Sequence, residues 1–385
     1  MILSIPLPGC KSIIIRQMIS HFVLTGEVLP LPEGECEDVC VTHRALRTLS
    51  EAVGTGAVID VADCGAACRF MMALLAVTPG RWLLTGTPRL LQRPVEGLLE
   101  ALTAIGGSIV RVGEGWRIEG RALRAESLAV DARQSSQYAS ALLLIAPKLG
   151  LRHLELIPAD VLSKPYIQLT RLCMPAPVEV TGLPHPQGPL GRIGDWSAAL
   201  FWYVKALLAP GSRYELLGLS LASAQGDAIV AEWFRQLGVE SEVTEQGVRI
   251  AAQRLPQGVT FQFDVADHPD VVPVMAALAC LLPADFTFLH TRNLDFKESN
   301  RAEELAQQLA QQLAPFAEIE RTEDSLRVVG KARARWPEPP YGFRTCSDHR
   351  LAMAFLLFGP SAHLDDLGCL RKSYPQLPDI LQSDI

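Results

Sequence analysis

No stretch of this 385-residue chain offers the roughly 18 to 20 consecutive apolar residues that a bilayer-spanning helix requires. The apolar N-terminal stretch is broken by Lys11 and Arg16, so no membrane partner and a cytoplasmic location are expected. A basic excess is also missing. The 35 Lys and Arg residues stand against 42 Asp and Glu, a net charge of -7. Binding a phosphate backbone needs a broad basic face, so a nucleic-acid partner is excluded and any positive field must be local. Nor is there a basic stripe, a sustained heptad or an amphipathic tail to mark a pure interaction protein. The cysteines do not form a metal pattern. Cys36/Cys40 and Cys64/Cys68 have i, i+4 spacing, but no histidine or further cysteine pair nearby completes a tetrahedral set, so core packing and no metal are expected. Nine cysteines, an odd number, lie mostly among apolar neighbours, as in Ala277-Leu278-Ala279-Cys280-Leu281, and read as reduced, buried thiols.

What is present is enough apolar sequence, 49% of residues, for about two to three domains with cores of their own. A repeat organises it. A helical pattern from Leu98 stops at Gly106-Gly107 and is followed by Ser108 to Val112, a Gly-Glu-Gly turn and Trp116-Arg117-Ile118. The same order returns from Trp233, with Gly238 as the stop, Val239 to Val243, and Val248-Arg249-Ile250. It returns again from Leu305, where Pro315 replaces the glycine, with Glu318-Ile319-Glu320 and Leu326-Arg327-Val328. Helix followed by two hairpin strands, three times, predicts a repeated α/β architecture. Between Met174 and Gly194 the residues Pro175, Pro177, Pro184, Pro186 and Pro189 with Gly182, Gly188 and Gly191 form a density that no helix or central strand tolerates, which places a lobe junction there. The second lobe then opens on Asp195-Trp196-Ser197-Ala198-Ala199.

Polar punctuation at the helix starts carries the chemistry. Leu7-Pro8-Gly9-Cys10-Lys11-Ser12, with Arg16 four residues on, gathers an ammonium, a hydroxyl, free backbone N–H groups and a guanidinium at one helix start, a seat for an anion. Asp63-Cys64-Gly65-Ala66-Ala67-Cys68-Arg69 puts small residues before an apolar helix; they allow close approach of a ligand to the backbone, and helix packing explains them equally well. Arg93 precedes Pro94 in a predicted extended segment. Ser135-Ser136-Gln137 sets two hydroxyls and an amide where capping needs one. Ser163-Lys164-Pro165-Tyr166-Ile167 repeats the serine-lysine pairing. Asp270, in His268-Pro269-Asp270, reads by itself as a helix cap. Lys297-Glu298-Ser299-Asn300-Arg301 reads as a solvated, alternating charge run. Ser347-Asp348-His349-Arg350 opens an apolar helix, and Arg371-Lys372-Ser373-Tyr374-Pro375 sets two cations beside a proline.

Taken in order, Pro-Gly-x-Lys-Ser, Gly-x-Ala-x-Arg, Gln-Arg-Pro, Ser-Ser-Gln, Ser-Lys-Pro-Tyr-Ile, Gln-Gly-Asp at Gln225 to Asp227, Lys-Glu-Ser-x-Arg, Asp-His-Arg and Lys-Ser-Tyr-Pro resemble the 5-enolpyruvylshikimate-3-phosphate (EPSP) synthase family from residue 7 to 375. The resemblance implies an α/β fold of two lobes, each of three βαβαββ units (an inverse α/β prism), with the active site in the cleft between them. Residues 10–193 would form the shikimate 3-phosphate lobe, and residues 1–9 with 194–385 the lobe bearing the catalytic carboxylates. The implied reaction moves the enolpyruvyl group of phosphoenolpyruvate to the 5-hydroxyl of shikimate 3-phosphate and releases phosphate, with no cofactor and no metal. These two small molecules would be the partners of a monomer. By the same matching, Lys11, Ser12, Arg16, Ser135, Ser136, Gln137, Ser163, Tyr166, Asp270, Asn293 and Lys297 would bind shikimate 3-phosphate. Lys11, Gly65, Arg93, Gln137, Arg301, Arg350 and Lys372 would bind phosphoenolpyruvate, and Asp270, Lys297, Glu298 and Lys11 would be catalytic.

The chain departs from the family pattern at several points. Cys10 stands for a serine, Ile14-Ile15 for Ser-Asn, Ala66 for a threonine and Asn300 for an aspartate, and the segment before the junction is short for its hairpin. Gly65 leaves room for the inhibitor glyphosate, while Ala66 alters the wall beside it. Two other readings remain. One is a UDP-sugar enolpyruvyl transferase of the same fold, which would need a reactive cysteine. The other is a non-catalytic paralogue that binds an anionic metabolite, against which Asp270, Lys297 and Glu298 count.

Overall fold

The computed structural model describes residues 2–174, 176–186, 190–191, 193–256, 258–331, 341–359 and 362–383. Pro175, Gly188 and Pro189 of the Pro/Gly-dense junction lie outside the described residues. The chain forms two compact units: one of residues 10–190, called here the N-unit, and one of residues 1–9 with 191–385, the C-unit.

In chain order, β1 (Ile2–Pro6) belongs to the C-unit. The N-unit follows with α1 (Lys11–Thr25), α2 (Glu37–Glu51), β2 (Val58–Asp60), α3 (Gly65–Ala76), β3 (Gly80–Thr85), α4 (Pro88–Leu91), α5 (Glu96–Ala104), β4 (Ser108–Val112), β5 (Gly115–Gly120), β6 (Ser127–Asp131), α6 (Gln137–Leu144), α7 (Ala146–Leu149), β7 (His153–Ile157), α8 (Lys164–Cys173) and β8 (Glu179–Val180). The C-unit resumes with α9 (Trp196–Leu208), β9 (Arg213–Leu217), α10 (Val230–Leu237), β10 (Val239–Val243), β11 (Gly247–Ala252), β12 (Val259–Asp264), α11 (Val272–Leu281), β13 (Ala284–Leu289), α12 (Arg301–Leu313), β14 (Ala317–Arg321), β15 (Ser325–Gly330), β16 (Tyr341–Phe343), α13 (His349–Leu356), β17 (Ala362–Leu364) and α14 (Leu377–Ser383).

The repeat read from the sequence is present as α5-β4-β5, α10-β10-β11 and α12-β14-β15. Each copy completes a four-stranded sheet of one order: β2-β3-β5-β4, β1-β9-β11-β10 and β12-β13-β15-β14. A parallel pair comes first, and the second hairpin strand inserts beside it, antiparallel. Two shorter sheets, β6-β7-β8 and β16-β17, stand beside these among the described residues. Strand β8 is only two residues long, in keeping with a segment too short for its hairpin.

Local chemistry explains the ends. Strand β5 alternates buried Trp116 and Ile118 with outward Arg117 and Glu119, the period of a half-buried strand. Helix α10 stops at Gly238, whose left-handed φ of 98° lets its N–H reach the carbonyls of Phe234 and Arg235. Asp195 starts α9 by accepting bonds from the Ser197 and Ala198 N–H groups. Helix α11 is apolar all round and buried along its whole length, as a core helix must be. It packs on α13 and α12, so their starting ends come together within the C-unit.

Candidate functional site

In the C-unit the polar groups collect around Arg301, the first residue of α12. The sequence reads this stretch as a solvated charge run, yet the Arg301 side chain is 1% exposed. Its Nη1 donates to Asp270 Oδ1 at 2.9 Å and its Nη2 to Glu298 Oε2 at 2.7 Å. Its Nε donates to Asp348 Oδ2 at 2.9 Å and Nη2 also reaches Asp348 Oδ1 at 3.2 Å. Burial by itself would lower the guanidinium pKa, but Asp348, Glu298 and Asp270 outweigh it and raise it.

Asp270 sits in a 3-10 turn, Pro269–Val271, directly before α11. It does not act there as a simple cap. Besides Arg301, Lys297 Nζ lies 3.8 Å and Arg350 Nη2 3.6 Å from its carboxylate. Burial pushes its pKa up, while Lys297, Arg350 and Arg301 together pull it well below the usual carboxylate range, so it is ionised at neutral pH. Arg350 belongs to α13, whose cap is Asp348, an acceptor for the Arg350 N–H at 2.9 Å. Lys372 is buried at the end of a 3-10 turn, Gly368–Lys372; burial pushes the neighbouring Cys369 thiol up, with Asp348 adding to the rise and Lys372 opposing it. Asn293 is buried in a turn that packs on α12. The C-unit thus brings together Asp270, Lys297, Glu298, Arg301 and Arg350. It also joins Asp348 and Ser299, which the sequence reading left out of the site.

A further carboxylate, Asp227, lies buried near Asp270. Its Oδ2 accepts from Ser197 Oγ, and burial and the Asp270 charge push it up to about 7.

The N-unit carries cations of a different kind. Lys11, the first residue of α1, donates from Nζ to Asp38 Oδ2 at 2.7 Å. Arg16, one turn further, is buried among neutral oxygens: Thr170 Oγ1 at 2.7 Å, the Ser12 carbonyl at 2.7 Å and Ser140 Oγ at 3.4 Å. The Phe70 and Tyr166 rings lie 5.1 Å and 5.9 Å from its guanidinium. Burial lowers the Arg16 pKa, as expected where the hydrogen-bond partners are uncharged. Ser136 and Ser163 are buried at the starts of α6 and α8, and Ser163 holds a left-handed φ of 62°. Ser135 Oγ accepts the Gln137 N–H at 3.2 Å, and the Gln137 side-chain oxygen is buried.

Gly65 is the first residue of α3, and two guanidiniums flank it. A Cβ there would lie 2.6 Å from Arg93 Nη1 and 3.2 Å from Arg69 Nη1. Arg69 donates to the carbonyls of Gly65 and Pro94, and burial, then the charge of Arg93, lowers its pKa. Two like charges beside a glycine surface form a seat that an anion would relieve. Arg93 lies in a bend after α4 rather than in an extended strand. Cys64 and Cys68 are fully buried, and burial pushes both thiols up, so neither is a reactive thiolate. Among the described residues no group of three or more His, Cys, Asp and Glu side chains is arranged to hold a metal, and no helix is long and apolar enough to cross a membrane.

Comparison with known proteins gives concordant results. A family model described as EPSP synthase (3-phosphoshikimate 1-carboxyvinyltransferase) matches residues 32–381. A 3-phosphoshikimate 1-carboxyvinyltransferase of Bacteroides fragilis is 34% identical over 402 aligned positions, covering 98% of this chain and 94% of that protein. One of Methanopyrus kandleri is 32% identical over 351 positions, covering 84% and 78%. The solved EPSP synthase of Acinetobacter baumannii superposes with a TM-score of 0.65 at 18% identity, covering 99% of this chain and 95% of that one, a likeness of fold.

Proposed function

This chain belongs to the EPSP synthase family, and from that premise we propose that it transfers the enolpyruvyl group of phosphoenolpyruvate to the 5-hydroxyl of shikimate 3-phosphate, releasing phosphate. The observation that carries the mechanism is the Asp270 carboxylate, ionised and set among Arg301, Lys297 and Arg350 with Glu298 on the same guanidinium. Asp270 accepts the 5-hydroxyl proton as that oxygen attacks the enol carbon, and Lys297 steadies the charge. Glu298 delivers a proton to the methylene carbon, giving a tetrahedral adduct, and takes one back as the carbon–phosphate oxygen bond breaks, while the proton taken by Asp270 leaves with the phosphate as hydrogen phosphate. Each unit carries a share of the cations that two polyanionic substrates demand, since burying such charges unpaired would cost several kcal/mol per ion.

In this assignment Lys11, Arg93, Gly65, Gln137, Arg301, Arg350 and Lys372 receive phosphoenolpyruvate, and Lys11 also steadies the phosphate that leaves. Ser12, Arg16, Ser135, Ser136, Ser163, Tyr166 and Asn293, with Lys11, Gln137, Asp270 and Lys297, receive shikimate 3-phosphate. The neutral setting of Arg16 favours an anion as its missing counter-charge. Nine free cysteines suit a reducing cytoplasm. The buried Cys64 and Cys68 disfavour a UDP-sugar transferase that depends on a reactive thiol.

The test is phosphate release from purified protein with each substrate omitted in turn. Release is expected only with both present. Asp270→Ala should leave substrate binding measurable and reduce kcat by about 10²- to 10⁴-fold. An unchanged rate removes Asp270 from proton transfer, and tight binding without release by the wild type marks a sensor instead.

A further inference from the structure

Asp348 is fully buried, yet nothing in the reaction just described uses it. Its two carboxylate oxygens are occupied by side chains and backbone together. Oδ2 accepts from Ser299 Oγ at 3.0 Å and from Arg301 Nε at 2.9 Å, while Oδ1 accepts from Arg301 Nη2 at 3.2 Å and from the Arg350 N–H at 2.9 Å. The two bonds to one guanidinium edge are the bidentate pairing that fixes an arginine in orientation as well as in place. The opposite side of that guanidinium grips Asp270 and Glu298. Four hydrogen bonds thus engage Arg301, of the five N–H groups that a guanidinium owns, and all four go to protein carboxylates. The fifth N–H, on Nη1, is left for phosphoenolpyruvate. Its geometry is that of a clamp joining the proton acceptor to the proton donor.

We propose that Asp348 is a positioning residue for proton transfer: from the start of α13 it fixes Arg301, and through Arg301 it sets Asp270 and Glu298 against each other. The inference rests on the reaction proposed above. Two alternatives give different kinetics. If Asp348 served only as a charge, its removal would make the cluster one unit more positive, and anion binding would tighten with kcat unchanged. If Asp348 arranged Arg301 chiefly as a phosphoenolpyruvate ligand, its loss would raise KM for that substrate. A positioning role lowers kcat instead, because both carboxylates stay present and ionisable but lose their alignment, and a misplacement of about 1 Å costs roughly 100-fold.

Asp348→Asn is the informative variant. Asparagine caps a helix as well as aspartate does, so α13 keeps its start, but it presents one acceptor oxygen and no charge, so the bidentate grip is lost. Steady-state phosphate release should show kcat down about 100-fold, with KM for each substrate within about threefold of the wild type. Ser299→Ala, which removes only the Ser299 bond to Asp348, should lower kcat by about three- to tenfold with both KM values unchanged, and it decides the matter should Asp348→Asn not fold. Wild-type kcat in the folded variants, or a rise in either KM at least as large as the fall in kcat, overturns the assignment. The wild type run alongside separates the two failures. No release by the wild type with both substrates overturns the reaction and this assignment with it, whereas wild-type turnover retained in the variants overturns the assignment alone.

Discussion

Arg16 and Arg301 are both buried arginines, and their surroundings give them opposite electrostatics. Three carboxylates hold Arg301 and raise its pKa against burial, whereas Arg16 meets neutral oxygens and is lowered by burial. Asp227 shows the same rule with the sign of an acid. Burial and the Asp270 charge raise it from the ordinary 3.8 to about 7. Between those two values the folded protein keeps a proton that the unfolded chain has released, so stability falls as pH rises through that window and stays lost above it. Asp227→Asn keeps an acceptor for Ser197 and never ionises. It should flatten the dependence between about pH 4 and 7 and melt about 3–6 °C above the wild type at pH 8. Thermal melts from pH 4 to 8 check this, and equal slopes for the two proteins would refute it. Which polar and charged residues stand at several helix starts was legible from the sequence; which residues touch was not. Lys11–Asp38 joins positions 27 apart and Arg301–Asp348 positions 47 apart, and no local pattern encodes such pairs.

Two of the three copies share a glycine at the end of the second hairpin strand. Gly120 ends β5 and Gly330 ends β15, and each lies against carbonyls at or just beyond the end of a buried helix, Leu75 and Thr78 at α3 for one, Ala279 and Leu282 at α11 for the other. A Cβ at Gly330 would fall 2.0 Å from the Leu282 oxygen and 2.2 Å from that of Ala279, both backbone atoms that cannot swing aside. Gly330→Ala should therefore destabilise by about 3 kcal/mol or more. Gly238→Ala, at a helix end with open space around it but a left-handed φ, should cost only about 1 kcal/mol. Denaturant titrations of the two variants test the ranking, and a reversed order would show that close approach is not what requires glycine at the strand end. At this scale the sequence was informative. The switch from helical to alternating periodicity, with Gly106, Gly238 or Pro315 between, marked the three helix-hairpin copies. Sheet order was not legible, because the insertion of each second hairpin strand beside a parallel pair depends on contacts made after folding.

Across the whole molecule a net charge of -7 coexists with cations gathered at helix starts in both units. The proposed chemistry needs only side-chain acids and bases, so activity should survive exhaustive dialysis against a chelator within about twofold, with the protein sedimenting as one chain of 42.0 kDa. Loss of activity that added metal restores, or a heavier species, would contradict the proposal. What the sequence by itself determined is the inventory and its local placement: the absence of a basic excess, the helix-hairpin repeat and the polar or charged groups at several helix starts. These follow from composition and short-range periodicity, which propagate along the chain. What only the tertiary structure decided is the protonation and pairing of those groups. Strand β1 lies beside β9, some 200 residues away, Asp270 is ionised among three cations, the Asp227 carboxyl is pushed up to about 7, and Asp348 grips Arg301. Each depends on burial and on charges brought close through space, and both come into being only when the chain folds.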